Sequence, residues 1–107
     1  MFKLINIAGD DLRLDDKGVS QMVTQSCRRA GVCVEGIAVR DDAVTLICSD
    51  NLDSEKSVYR FTPLGAEAGD EDIFAELRCR YDNNFRTIGA FFLADGCWTL
   101  TEKTLTE

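Results

Sequence analysis

The sequence predicts an α+β fold: two helices packed on an antiparallel sheet, in the order β-α-β-β-β-α-β-β. Three observations carry this. Val19, Met22, Val23, Ser26, Cys27 and Ala30 recur at helical spacing, and so do Ile73, Phe74, Leu77 and Tyr81. Between and beyond these stretches, short apolar runs alternate with period two. Those runs are punctuated by Asp41-Asp42 and Asp95-Gly96, residue pairs suited to tight hairpin turns. With 107 residues, 45% of them hydrophobic and 29% charged, the chain suits one domain, residues 1–107, around one core.

Met1–Ala8 reads as a strand with Ile5 and Ile7 on one face, broken by Gly9-Asp10-Asp11. The first helix follows. Asp15 or Asp16 caps its start, Arg28 and Arg29 suit the negative end of its dipole, and Gly31 stops it. Val32–Arg40 and Ala43–Ser49 read as a hairpin. A two-residue turn at Asp41-Asp42 would pair Val39 with Val44, Ile37 with Leu46 and Glu35 with Cys48. Alternation then puts Cys33, Ile37, Val39, Val44, Leu46 and Cys48 on a core face, with Val34, Ala38, Arg40, Thr45 and Ile47 opposite.

Asp50–Lys56 is a polar loop, and Ser57–Thr62 a third strand ended by Pro63 and Gly65. The second helix spans about Asp70 to Asn83, with Asp70, Glu71 and Asp72 at its start and Arg78 and Arg80 near its end. Thr87–Ala94 and Cys97–Lys103 form the last hairpin, which would pair Leu93 with Trp98 and Phe91 with Leu100. No internal repeat is visible.

Nineteen acids against twelve bases give a net charge of −7. That charge disfavours nucleic acid and anionic membranes and suits a basic or amphipathic protein partner. No apolar run approaches the roughly 20 residues needed to span a bilayer. The start lacks the basic, apolar and small-residue pattern of a signal peptide, so a cytoplasmic location is expected.

The five cysteines are odd in number and contain no C-x-x-C, and the chain has no histidine. Most read as core thiols rather than zinc ligands. Without histidine the usual base for a nucleophile is missing, and no phosphate-binding glycine loop occurs. The paired aspartates suit turns and caps. Asp50, Asn51, Asp53 and Glu55 lack the order of a calcium loop. No enzyme, no metal and no cofactor are expected.

Surface apolar residues are more informative. Ile88, Ala90 and Phe92 face away from Phe91, Leu93 and Trp98, and Val34 and Ile47 lie opposite the first hairpin's core face. Apolar residues on both sides of a strand call for a second layer, a second subunit or a bound segment. Val34, Ile47, Ile88 and Phe92 are therefore the candidate partner-binding or dimer surface.

The stretch from Val19 to Leu105 resembles the class I chaperones of bacterial type III secretion. Gly31-Val32-Cys33 leads into the Asp41-Asp42 hairpin. Val58-Tyr59-Arg60-Phe61-Thr62-Pro63-Leu64-Gly65 is similar to that family's third strand and following turn. Asp70–Phe85 takes the place of its second helix, and Thr87-Ile88-Gly89-Ala90 with Asp95-Gly96 that of its last hairpin. The resemblance implies a homodimer formed through the second helix and the neighbouring strand. It also implies a disordered segment of a secreted protein wrapped over apolar patches without ATP. The alternative is a ferredoxin-like plait, a ligand-binding or regulatory module, in which Met1–Ala8 would be a central strand with a parallel partner.

Overall fold

The computed structural model describes residues 2–52 and 54–105. Met1 of the expected first strand and Asp53 of the polar loop lie outside the described residues. The elements are β1 (Phe2–Ala8), α1 (Gly9–Leu14), α2 (Asp16–Ala30), β2 (Val32–Arg40) and β3 (Ala43–Asp50). A single 3₁₀ turn (Ser54–Lys56) leads into β4 (Ser57–Gly65), α3 (Asp70–Asp82), β5 (Phe85–Leu93) and β6 (Gly96–Thr104).

The α+β class and the order of the long elements agree with expectation. Two details differ. The strands form two antiparallel three-stranded sheets, β1-β3-β2 and β4-β6-β5, rather than one. Gly9–Leu14 is a short helix rather than a break, and its Leu12 is fully buried. β1 is an edge strand antiparallel to β3, not the central parallel strand that the plait requires.

The two sheets have the same topology. In each, a strand is followed by helix and hairpin, and the last strand returns to pair with the first. Their hairpins share an irregularity. The register slips between Val34 and Gly36 on β2, and between Thr87 and Gly89 on β5. The extra residue of a bulge re-aims the side chains around it. Val39 pairs with Val44 and Ile37 with Leu46 as expected, but Cys48 faces Val34, not Glu35. Val34 thereby turns inward.

The Asp41-Asp42 turn has both residues at positive φ, 48° and 59°, as a two-residue hairpin loop requires. In the second hairpin the turn is Ala94-Asp95, one residue earlier than expected. Phe91 pairs with Trp98 and Leu93 with Gly96. Gly96 has φ 134°, and a Cβ there would collide with the Gly65 backbone at the end of β4. Because each partner moves by two residues, Phe91, Leu93, Trp98 and Leu100 still share the core face.

The core lies between the sheets. Ile5, Ile7, Val32, Val34, Val44, Leu46 and Cys48 come from the first sheet; Tyr59, Phe61, Phe91, Leu93, Trp98 and Leu100 come from the second. Phe61 and Phe91 meet edge to face at 6.2 Å.

α2 closes one end of this core. Its cap is Asp15, whose carboxylate accepts from the Gly18 N–H at 3.0 Å, and its stop is Gly31 at φ 71°. The buried stripe is Ser20, Val23, Thr24 and Cys27, whereas Met22 and Ala30 of the expected stripe are exposed. The rotation has a cause on β4, an edge strand with unpaired backbone groups. Ser20 Oγ accepts from the Phe61 N–H at 2.9 Å, Thr24 Oγ1 accepts from the Tyr59 N–H at 3.0 Å, and Arg28 Nε donates to the Ser57 carbonyl at 3.2 Å. Three positions four residues apart on the helix thus cover the sheet edge.

No helix among the described residues is long and apolar enough to cross a membrane.

Candidate functional site

α3 is the counterpart of α2 in the second unit, yet none of its side chains is buried. Its formation is local. The Asp72 carboxylate accepts from the Gly69 N–H at 3.0 Å, and Asp70, Glu71 and Asp72 occupy the positive end of its dipole. One flank is anchored to the second sheet. Arg80 pairs with Glu76 at 2.7 Å, donates to Thr62 at 3.2 Å and lies over the Phe85 ring at 5.6 Å. On the sheet face that carries Thr62, Thr99 and Thr101 are fully buried.

The other flank is open. Phe74 is 65% exposed and Tyr81 76% exposed. Phe74, Leu77 and Tyr81, with Arg78 and Thr87 beside them, line a shallow cavity of about 460 Å³. This apolar flank is the candidate site. Exposing aromatic rings to water forfeits the gain of burying them, roughly 1.5–3 kcal/mol per large side chain.

The four residues expected at a partner surface divide. Phe92 is 59% exposed on β5, in the same sheet as the α3 surface. Ile47 is exposed on the first sheet, paired with the exposed Leu4 and near Phe2 at the β1 edge. Val34 is fully buried in the core, and Ile88 is partly buried against it. Both corrections have one cause: Val34 adjoins one bulge and Ile88 is the extra residue of the other. The four therefore do not form one surface. Phe74 and Tyr81 carried the same periodic signal as a core stripe, and the sequence held no sign that the stripe would stay uncovered.

Two polar clusters join the units. At the sheet junction the Val34 N–H donates to the Tyr59 hydroxyl at 2.9 Å, and that hydroxyl donates to Glu102 at 2.5 Å. Glu102 also accepts from Arg86, at 2.7 Å from Nη2 and 3.1 Å from Nε. Burial, and then the Glu102 carboxylate, push the Tyr59 hydroxyl well above the usual tyrosine range. The Arg86 guanidinium is raised mainly by its hydrogen bond to Glu102. All partners are engaged, so the cluster serves as a lock rather than a reactive centre.

At the hairpin tips Arg13 of α1 binds Asp42 at 2.6 Å, Asp10 at 2.6 Å and Asp95 at 2.9 Å. Asp42 also accepts from the Ala94 N–H at 2.9 Å, and Trp98 Nε1 donates to Asp95 at 3.1 Å. The hydrogen bond from Arg13, then that from Ala94, hold the Asp42 carboxyl at about 2.

Cys27, Cys33, Cys48 and Cys97 are buried free thiols, and Cys79 on α3 is exposed. Burial pushes the Cys27 thiol up to about 12, and it raises Cys48 and Cys97 as well. Such thiols are poor nucleophiles. Among the described residues no group of three His, Cys, Asp or Glu side chains stands where it could hold a metal ion. No protein-family model, curated protein or solved structure matches this chain.

Proposed function

We propose that this chain is a non-catalytic protein-binding module whose α3 flank takes an apolar, basic segment of another protein. The observation that supports this reading is a 13-residue helix that buries none of its side chains while exposing Phe74 and Tyr81. Asp70, Glu71 and Asp72 on the same helix, and the net charge of −7, suit bases flanking the apolar residues of such a segment. A preformed apolar face beside an edge strand can order a disordered segment without nucleotide. The run of helix, three strands, helix and two strands from α2 to β6 is in keeping with a secretion-chaperone role in the cytoplasm. The homodimer that this role implies would use the same helix, so the two occupants compete.

The test compares wild type with a Phe74→Asp, Tyr81→Asp double variant, in affinity capture without ATP or magnesium and in light scattering. The reading expects a partner whose retained segment is apolar and basic, and which the variant loses while remaining folded. Capture that the variant leaves unchanged overturns it. A wild-type dimer that the variant dissociates, with no partner retained, assigns the flank to self-association instead.

A further inference from the structure

A cavity of about 550 Å³ lies between α2 and the second sheet, away from the α3 flank. Its volume falls within the roughly 300–1,000 Å³ typical of small-molecule sites. In a protein with 19 acids and 12 bases, the groove is lined by Lys17 and Arg28 of α2 and Arg60 of β4, and by no carboxylate. Neither Lys17 nor Arg60 forms an ion pair among the described residues. A surface built only for solubility intersperses both signs; this one separates them.

Arg60 adds an independent observation. Its Nε is buried and has no hydrogen-bond partner. Buried donors on charged groups are almost always satisfied, so an orphan N–H at the wall of a groove marks a missing acceptor. The wall residues also set the ligand's shape. Lys17 and Arg28 are separated by about 16 Å along the helix axis at 1.5 Å per residue. Gln21 and Gln25 line the groove between them, and Phe85 lines it from the sheet. Lys17 and Arg28 therefore stand at the two ends on the helix side, while Arg60 of β4 lies level with the middle, because its neighbours Tyr59 and Phe61 donate to Thr24 and Ser20.

We propose that this groove binds a small, elongated organic anion carrying at least two separated anionic groups. One group accepts from Arg28 and the other meets the Lys17 ammonium, with Arg60 donating between them. Gln21 and Gln25 hydrogen-bond the ligand between its two ends. Carboxylate and phosphate groups share this chemistry, because both present the oxygens that a guanidinium recognises.

The test is an NMR titration of the isotope-labelled full chain with citrate, pyrophosphate and sulfate at fixed ionic strength. Saturable shifts of α2 and β4 amides with citrate or pyrophosphate support the site, and whichever binds tighter identifies the anionic group. Lys17 is exposed, so Lys17→Gln keeps the fold. Lys17→Gln and Arg60→Gln should each weaken binding by about ten-fold or more, the scale of one charge-assisted hydrogen bond, whereas Phe74→Asp should leave it unchanged. Absence of saturable shifts overturns the proposal. So does equal affinity for sulfate, which has no second group, or binding that Lys17→Gln leaves intact.

Discussion

α2 and α3 hold the same position in chain order in two units of the same strand order, and they meet opposite fates. Each begins with acids, ends with bases and carries apolar residues at helical spacing. α2 buries Ser20, Val23, Thr24 and Cys27 and seals the β4 edge; α3 only half-buries Ile73, Glu76, Leu77 and Arg80 and leaves two aromatic rings in water. Helical amphipathicity therefore shows that a helix forms and which side is apolar. Whether that side is covered depends on what the rest of the chain brings to it. Here the covered helix belongs to the core and the uncovered one leaves its apolar side in water.

The sharpest way to break this comparison is to place the same charge on both helices. Val23→Asp would bury an unpaired carboxylate and should cost about 3–5 kcal/mol, much of the stability of a chain this size. Phe74→Asp should change stability by no more than about 0.5 kcal/mol, as exposed substitutions do. Urea denaturation measures both. Equal losses would mean that the α3 flank is covered after all.

A smaller effect isolates how α2 seals the sheet. Ser20→Ala and Thr24→Ala each leave a β4 N–H without its acceptor, at about 1–3 kcal/mol apiece. Hydrogen exchange at the Phe61 and Tyr59 amides should accelerate in the matching variant, Phe61 for Ser20 and Tyr59 for Thr24. Unchanged exchange would show that packing of Val23 and Cys27, not the hydroxyls, holds the helix to the edge.

The smallest effect uses one cysteine from each helix. Burial holds the Cys27 thiol at about 12, above the ordinary thiol range, so the folded state keeps a proton that the unfolded chain gives up. Its stabilisation is complete below about pH 9 and is lost as pH rises toward about 12. Urea midpoints between pH 8 and 11 should fall less steeply in Cys27→Ala than in wild type. Native thiol labelling should be fast at Cys79 and slow at Cys27. Identical alkaline slopes in Cys27→Ala and wild type, or equal labelling rates at the two thiols, would remove the distinction.

Part of the candidate surface was legible in the sequence. Ile47 and Phe92 are exposed where strand alternation puts them. Val34 and Ile88 were misplaced because a bulge breaks the period of two, and its only local mark is a glycine, Gly36 or Gly89. Both glycines stand at the same distance before an aspartate at the hairpin tip, Asp42 or Asp95, a correspondence too sparse to announce a repeat. The exposed flank of α3 was hidden by its resemblance to a core stripe.

Local sequence alone sets the order of the long elements, both ends of α2 and the first hairpin turn. The Asp15 cap, the Gly31 stop and the Asp41-Asp42 turn are each specified by residues adjacent in the chain. The tertiary structure alone decided the division into two sheets, the rotation of α2 toward Ser20 and Thr24, and the bareness of α3. Caps and turns are satisfied by their own neighbours. The acceptors for the Tyr59 and Phe61 N–H groups, by contrast, lie 35 and 41 residues away on α2, and no local pattern carries that information.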